Sequence, residues 1–225
     1  METAMEQNQA IHPDMHVGEI AAALAGATAI FRKHKIDFCC GGNVPIGEAL
    51  AKKNLDAGLV LGELQALAAK PPEAPSETIA LIEHIIRRYH DVHRSELPEL
   101  VKLAKRVEAV HRDHADVPAG LADILETALE DLGDHMQKEE LILFPAMRGG
   151  MVGMVDGPIS AMREDHDDHA LTIRALQEIT HGYQPPAGAC RSWQALYRGV
   201  DKLVTDLTEH MHLENNVLFP RFESR

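Results

Sequence analysis

The feature that most constrains this chain is an eleven-residue string that occurs twice, HMQKEELILFP at 135–145 and HMHLENNVLFP at 210–220, identical at six positions. In each copy a His precedes a Glu by four residues, which on an α-helix sets imidazole and carboxylate one turn apart on one face. Fixed-period similarity of this kind marks a duplicated supersecondary unit. Two upstream histidines obey the same duplication: His90 lies 45 residues before His135, and His166 lies 44 before His210. If each pair faces across an antiparallel helical hairpin, equal rise per residue places the turns midway, near about 112, 150 and 188. At those places the chain reads HRDHADVPAG (111–120), GGMVG (149–153) and GYQPPAGA (182–189), all rich in turn residues. The spacing therefore predicts four antiparallel helices, roughly 76–112, 119–147, 158–181 and 190–217, with four histidines at one level. That is an all-α, up-down four-helix bundle.

A small helical domain is expected to precede the bundle. Three prolines within Lys70-Pro71-Pro72-Glu73-Ala74-Pro75 suit neither helix nor sheet interior, and mark a boundary between residues 12–70 and 76–225. Upstream, Val17 to His34, Ile46 to Leu55 and Leu59 to Lys70 read as helices, around a turn DFCCGG at 37–42 that carries Cys39 and Cys40. Downstream, Ser76, Glu77 and Thr78 open a run in which Ile79, Ile82, Ile85 and Ile86 follow helical spacing.

Charge narrows the partners. With 22 Lys and Arg against 35 Asp and Glu the formal net charge is −13, a field that repels phosphate backbones and anionic lipid. Neither nucleic acid nor a membrane surface is expected as a partner. The start, METAMEQNQA, lacks a cationic and apolar leader, no apolar run is long enough to span a bilayer, and three cysteines make no disulfide framework. A cytoplasmic protein is the expectation.

The chemistry follows from the histidines, which number 14 of 225 residues. His90, His135, His166 and His210 with Glu139 and Glu214 converge on one level of the bundle core. Two metal ions could each take two imidazoles while both carboxylates bridge them. That donor set suits iron and leaves positions open for small molecules. His111 follows His90 by 21 residues, about 31 Å along a straight helix, which places it at the far end. Pro98 can break that helix, so His111 stays open as a ligand. His84, His93, His114, His169 and His212 share neither the level nor the face and read as non-ligands. Asp131 and Asp206 precede the repeated histidines by one turn, and Asp165 adjoins His166. Each reads equally as a carboxylate orienting a ligating imidazole or as part of a solvated face.

Taken together, DFCCGG at 37–42, RYHDVHRSELPEL at 88–100, GPISAMREDHD at 157–167 and the repeated strings resemble the RIC family (Repair of Iron Centres, the YtfE/ScdA type). The resemblance covers nearly the whole chain. It implies a hemerythrin-like bundle with two non-haem iron ions per chain, oxo- or hydroxo-bridged, held by His90, His135, Glu139, His166, His210 and Glu214. It further implies repair of iron-sulfur clusters damaged by nitrosative or oxidative stress, with iron donation as the mechanism. Damaged or apo iron-sulfur proteins are then the partners, NO or O2 the small ligands, and a homodimer one option for the assembly. Members also carry a His matching His111.

Cys39 and Cys40 are too close for an ordinary chelate, and adjacent thiols rarely close a disulfide without strain. As thiolates near Lys33, His34 and Lys35 they could relay iron or a nitrosyl group, while the plain reading is two small apolar residues. Cys190 reads as structural. Besides iron donation, the sequence leaves open a hemerythrin-like O2 or NO binder or sensor and a di-iron NO reductase or oxidase, so enzymatic activity is undecided.

Overall fold

The computed structural model describes residues 11–24, 26–39, 41–67 and 75–223. Cys40 and most of the Pro71–Pro75 linker lie outside the described residues. Contacts divide the chain into two units, Met1–Pro75 with Met211–Pro220, and Ser76–His210 with Arg221–Arg225.

Among its described residues the first unit has four short helices, α1 (Val17–Ala23), α2 (Ala27–Lys33), α3 (Ile46–Lys52) and α4 (Ala57–Leu67). Val17, Ile20, Phe31, Phe38, Ile46, Leu50, Val60 and Leu64 form its core. The single helix expected from Val17 to His34 is two helices, because the chain turns at Gly26, whose φ of 88° lies in the left-handed region that a Cβ disfavours. Lys33 and His34 at the end of α2 both bind Glu63 on α4, at 2.6 and 3.0 Å. The DFCCGG turn is held from inside: Asp37 Oδ1 accepts the Gly41 backbone N–H at 3.0 Å and lies 3.5 Å from the Cys39 thiol. Gly42 must lack a side chain, since a Cβ there would stand 2.9 Å from the Phe38 carbonyl and 3.0 Å from the Cα of Gly18.

The second unit is the bundle. Its first arm runs through α5 (Thr78–Ile85), a π-helical turn (Ile86–His90) and α6 (Asp91–Val110). The second comprises α7 (Leu121–Lys138), a π-turn (Glu139–Leu143) and α8 (Phe144–Arg148), the third is α9 (Asp156–Ile179), and the fourth is α10 (Arg191–His212). A π-turn, Leu213–Leu218, continues α10 into the stretch grouped with the first unit. The three connections fall at the three expected places. Gly120, Gly150, Gly153, Gly182 and Gly188 all adopt positive φ there, and His181 and Tyr183 join them.

Apolar residues three and four apart give each arm its buried stripe: Leu97, Val101 and Ala104 on α6, Leu121, Leu125, Ala128 and Leu132 on α7, Ile159 with Met162 and Ala170 with Ile173 and Leu176 on α9, Trp193, Leu196, Val200, Leu203 and Leu207 on α10. This burial also explains why Pro98 does not end α6. One missing backbone hydrogen bond is offset by the packing of Leu97, Leu100 and Val101 around it. Among the described residues no helix is long and apolar enough to cross a membrane.

Candidate metal centre

The helices become irregular where the predicted ligands lie. His90 closes the first π-turn, Glu139 opens the second, and Glu214 lies in the third. A π-turn adds a residue to the helical repeat and swings the side chains around it, a distortion that is most often met at functional sites. Here it works on two groups of donors, His90, Glu139, His210 and Glu214 in one, His135, Glu139, His166 and Glu214 in the other. Within each group the donor atoms lie within 4.8 Å of one another. All six expected ligands are thus brought together, and both carboxylates are shared.

The imidazoles are oriented for metal. His90 Nε2 faces His210 Nε2 at 3.0 Å, and His135 Nε2 faces His166 Nε2 at 3.2 Å. Two nitrogens bound at right angles to one ion at ~2.1 Å would stand ~3.0 Å apart, so both pairs match one edge of a coordination shell. Glu139 Oε2 is 3.4 Å from the Nε2 of both His90 and His135, midway between the groups. Glu139 and Glu214 are fully buried, at 0% exposure. Placing two carboxylates among four imidazoles in a dry core is costly unless cations compensate them. The residues therefore fit a pair of imidazole- and carboxylate-loving metal ions.

Outward-facing nitrogens fix the ring tautomers. His90 Nδ1 meets Glu140 Oε1 at 2.7 Å, and Arg94 steadies the same carboxylate at 2.8 Å. His135 Nδ1 meets Asp165 Oδ2 at 3.3 Å, and Lys138 binds that oxygen at 2.9 Å. The hydrogen bond from His135 holds the Asp165 carboxyl well below the usual range, with Lys138 adding to it against the opposing effect of burial. For Glu140, burial pushes upward, but the bonds from His90 and Arg94 outweigh it and leave the group lowered. Carboxylate on Nδ1 leaves Nε2 as the metal-facing lone pair.

Other residues fall elsewhere. Asp165 serves His135 rather than its neighbour His166. Asp206 is buried but bonds Arg88 at 2.6 Å and Lys202 at 2.8 Å, and Asp131 is exposed. His111 caps the end of α6, with Nε2 3.2 Å from Cys190 Sγ and its ring 5.0 Å from that of Trp193, and belongs to neither donor group. His84 is half-buried, and His114 packs edge-on against Trp193. His212 packs its ring against Phe38 within the first unit. There too, Asn215 Nδ2 donates to the Cys39 carbonyl at 3.1 Å, and Asn216 Nδ2 to the Phe38 carbonyl at 3.0 Å.

Glu140 is the partner that sequence reasoning missed, although its place directly after the ligand Glu139 was a usable signal. His93 and His169, which the sequence reads as non-ligands, belong to neither donor group. Both are buried beside rings of the donor groups, and desolvation lowers the pKa of each from the ordinary imidazole value of about 6.5 to about 3. The sign of the linkage is clear: between those values the unfolded chain takes up a proton that the folded chain refuses. Stability of the metal-free protein is therefore expected to fall as pH drops below about 6.5, by up to ~1.4 kcal/mol per pH unit for each of these imidazoles. Urea midpoints at pH 7.5, 6 and 5 check this, and a constant midpoint would refute it.

The sequence matches known families and proteins. Residues 81–222 match the model of the hemerythrin HHE cation binding domain, and residues 13–68 that of the ScdA_N domain, a domain of unknown function. The chain is 46% identical over 212 residues to the iron-sulfur cluster repair protein YtfE of Pectobacterium carotovorum, covering 92% of this chain and 96% of that one. The chain belongs to the RIC family. Coverage is the same for the YtfE proteins of Enterobacter sp. strain 638, 46% identical, and Escherichia coli O1:K1, 44% identical. By these matches the helical bundle around the donor groups corresponds to the hemerythrin HHE cation binding domain, and a smaller helical domain precedes it in the chain.

Proposed function

We propose that this protein repairs damaged iron-sulfur clusters and does so by giving up iron from a di-iron centre. The supporting observation is the pair of donor groups sharing Glu139 and Glu214 in a chain matched over 92% of its length by proteins named for iron-sulfur cluster repair. In this reading His90 and His210 would hold one iron and His135 and His166 the other, with Glu139 and Glu214 as donors available to both. The centre supplies iron as cargo together with open coordination positions for NO or O2.

The side chains set how firmly the cargo is held. Glu140 and Asp165 accept the Nδ1–H of His90 and His135, which leaves each Nε2 lone pair for metal and fixes the direction of the ring, and loss of either partner would weaken the grip by about 10 to 100-fold. Two imidazoles and two shared carboxylates per ion make a smaller donor set than a closed six-ligand site, which suits release to an acceptor. Cys39 and Cys40 are proposed as the relay that meets the damaged or apo cluster protein, in a reducing cytoplasm where their thiols persist.

The deciding experiment incubates iron-loaded protein with an apo ferredoxin and follows cluster assembly and iron loss together. Iron leaving the donor in step with clusters appearing is the expected result. Clusters restored with no iron lost would overturn donation, and reversible O2 or NO binding with iron retained throughout would favour the carrier or sensor reading.

A further inference from the structure

Two imidazoles at the centre are left without an assignment by the donor groups. His93 follows His90 by three residues, and His169 follows His166 by three, so each lies nearly one turn from a ligand on the same arm. Their environments correspond. The His93 ring is 5.6 Å from that of His210, which shares a donor group with His90. The His169 ring is 5.0 Å from that of His135, which shares the other group with His166. Each metal position therefore has one extra imidazole against it.

Neither residue joins the 4.8 Å donor groups, so neither completes a ligand set. Yet both are nearly inaccessible, at 2% and 4% exposure, and the Nε2 of each has no hydrogen-bond partner among the described residues. A buried ring nitrogen in that state costs about 1–3 kcal/mol, and its recurrence at both positions calls for a shared explanation. Packing alone would be served better by Leu or Phe. What the two sites have in common is a group of four protein donors, fewer than the six an octahedral ion takes, so that each ion held there would have coordination positions left for an exogenous ligand.

We propose that His93 and His169 are the hydrogen-bonding groups for a small molecule held at the metal centre, one for each metal position. The class is a diatomic molecule or a linear triatomic anion, which offers an acceptor atom beyond the one bound to metal. This proposal rests on the di-iron reading above, but not on iron donation.

Azide is the probe, added to full-length iron-loaded protein after iron analysis. The unsubstituted chain is expected to hold two irons and to develop an azide-to-iron charge-transfer band. His93→Leu and His169→Leu should each raise the azide Kd by about tenfold, and the double variant by about a hundredfold, with iron content unchanged. His169→Gln, which returns a polar nitrogen near Nε2, should recover most of the loss. Should the Leu variants not fold, resonance Raman of the unsubstituted azide adduct serves instead, and exchange into D2O should move the azide stretch. A Kd within twofold of the unsubstituted value in both Leu variants would overturn the proposal, as would a stretch indifferent to D2O. Iron lost with either imidazole would also overturn it, making that residue a holder of metal. An unsubstituted chain that binds no iron sinks the di-iron reading itself, and metal analysis shows this before azide is added.

Discussion

Glu139→Gln is expected to empty both metal positions at once, whereas His90→Ala should leave about one iron per chain. The difference follows from membership: His90 belongs to one donor group, Glu139 to both, and Glu139 Oε2 stands 3.4 Å from an imidazole of each. An amide of the same shape retains one neutral acceptor oxygen but cannot supply the negative charge that two cations share. A loss of affinity beyond a hundredfold is the expectation, since altering partners of the ligands alone costs about 10 to 100-fold. Unfolding is separable from this effect by sign. Without metal the buried carboxylate is a burden, so the metal-free Gln variant should be at least as stable to urea as the metal-free parent. Iron analysis with Mössbauer spectroscopy reads the first quantity, and denaturation in chelator reads the second. Two irons retained by Glu139→Gln would remove the carboxylate from its shared role.

The repeated string explains why so much of the bundle was legible. Two copies at matched distances from two further histidines restrict both the topology and the level of the site, and the three turns sit where equal arms require them. Periodicity could not show the π-turns, because a helical pattern read at 3.6 residues per turn carries no mark of an inserted residue. Partners across helices were similarly hidden. Asp165 adjoins His166 in sequence but projects from α9 toward His135 on α7, and Asp206, one turn before His210, is taken by Arg88 and Lys202. The break in the Val17–His34 run depended on the backbone of Gly26, which composition alone represents as one more small residue.

Divergence between the two copies is as informative as their identity. The residue after the ligand Glu is Glu140 in the first and Asn215 in the second. Glu140 binds the outer nitrogen of His90, while Asn215 donates its side-chain N–H to the Cys39 carbonyl. One copy thus steadies a ligand, and the other ties the thiol turn to the residue that directly follows Glu214 in the chain. Equivalent positions of the repeated string make different contacts in the two copies.

That tie motivates the second large effect, a loss of repair without a loss of iron when Cys39 and Cys40 are both replaced by Ser. Cys39 is buried, its carbonyl is held by Asn215, and its thiol lies 3.5 Å from Asp37 Oδ1, a geometry a Ser hydroxyl also fits. Ser preserves the hydrogen bonding of the turn while removing the soft, ionisable sulfur, so folding and the six residues of the donor groups should be undisturbed. If the thiols relay iron or NO, cluster restoration in an apo ferredoxin assay should fall to less than about a tenth, as expected when the reactive form of a thiol is eliminated. Iron content and the azide titration should remain at the unsubstituted values, which separates a broken relay from a broken centre. The single variants refine the assignment, because a relay using one sulfur at a time tolerates one substitution and a chelating pair tolerates neither. Full repair by the double Ser variant would return both residues to packing and leave iron to pass from the centre to its acceptor without a thiol.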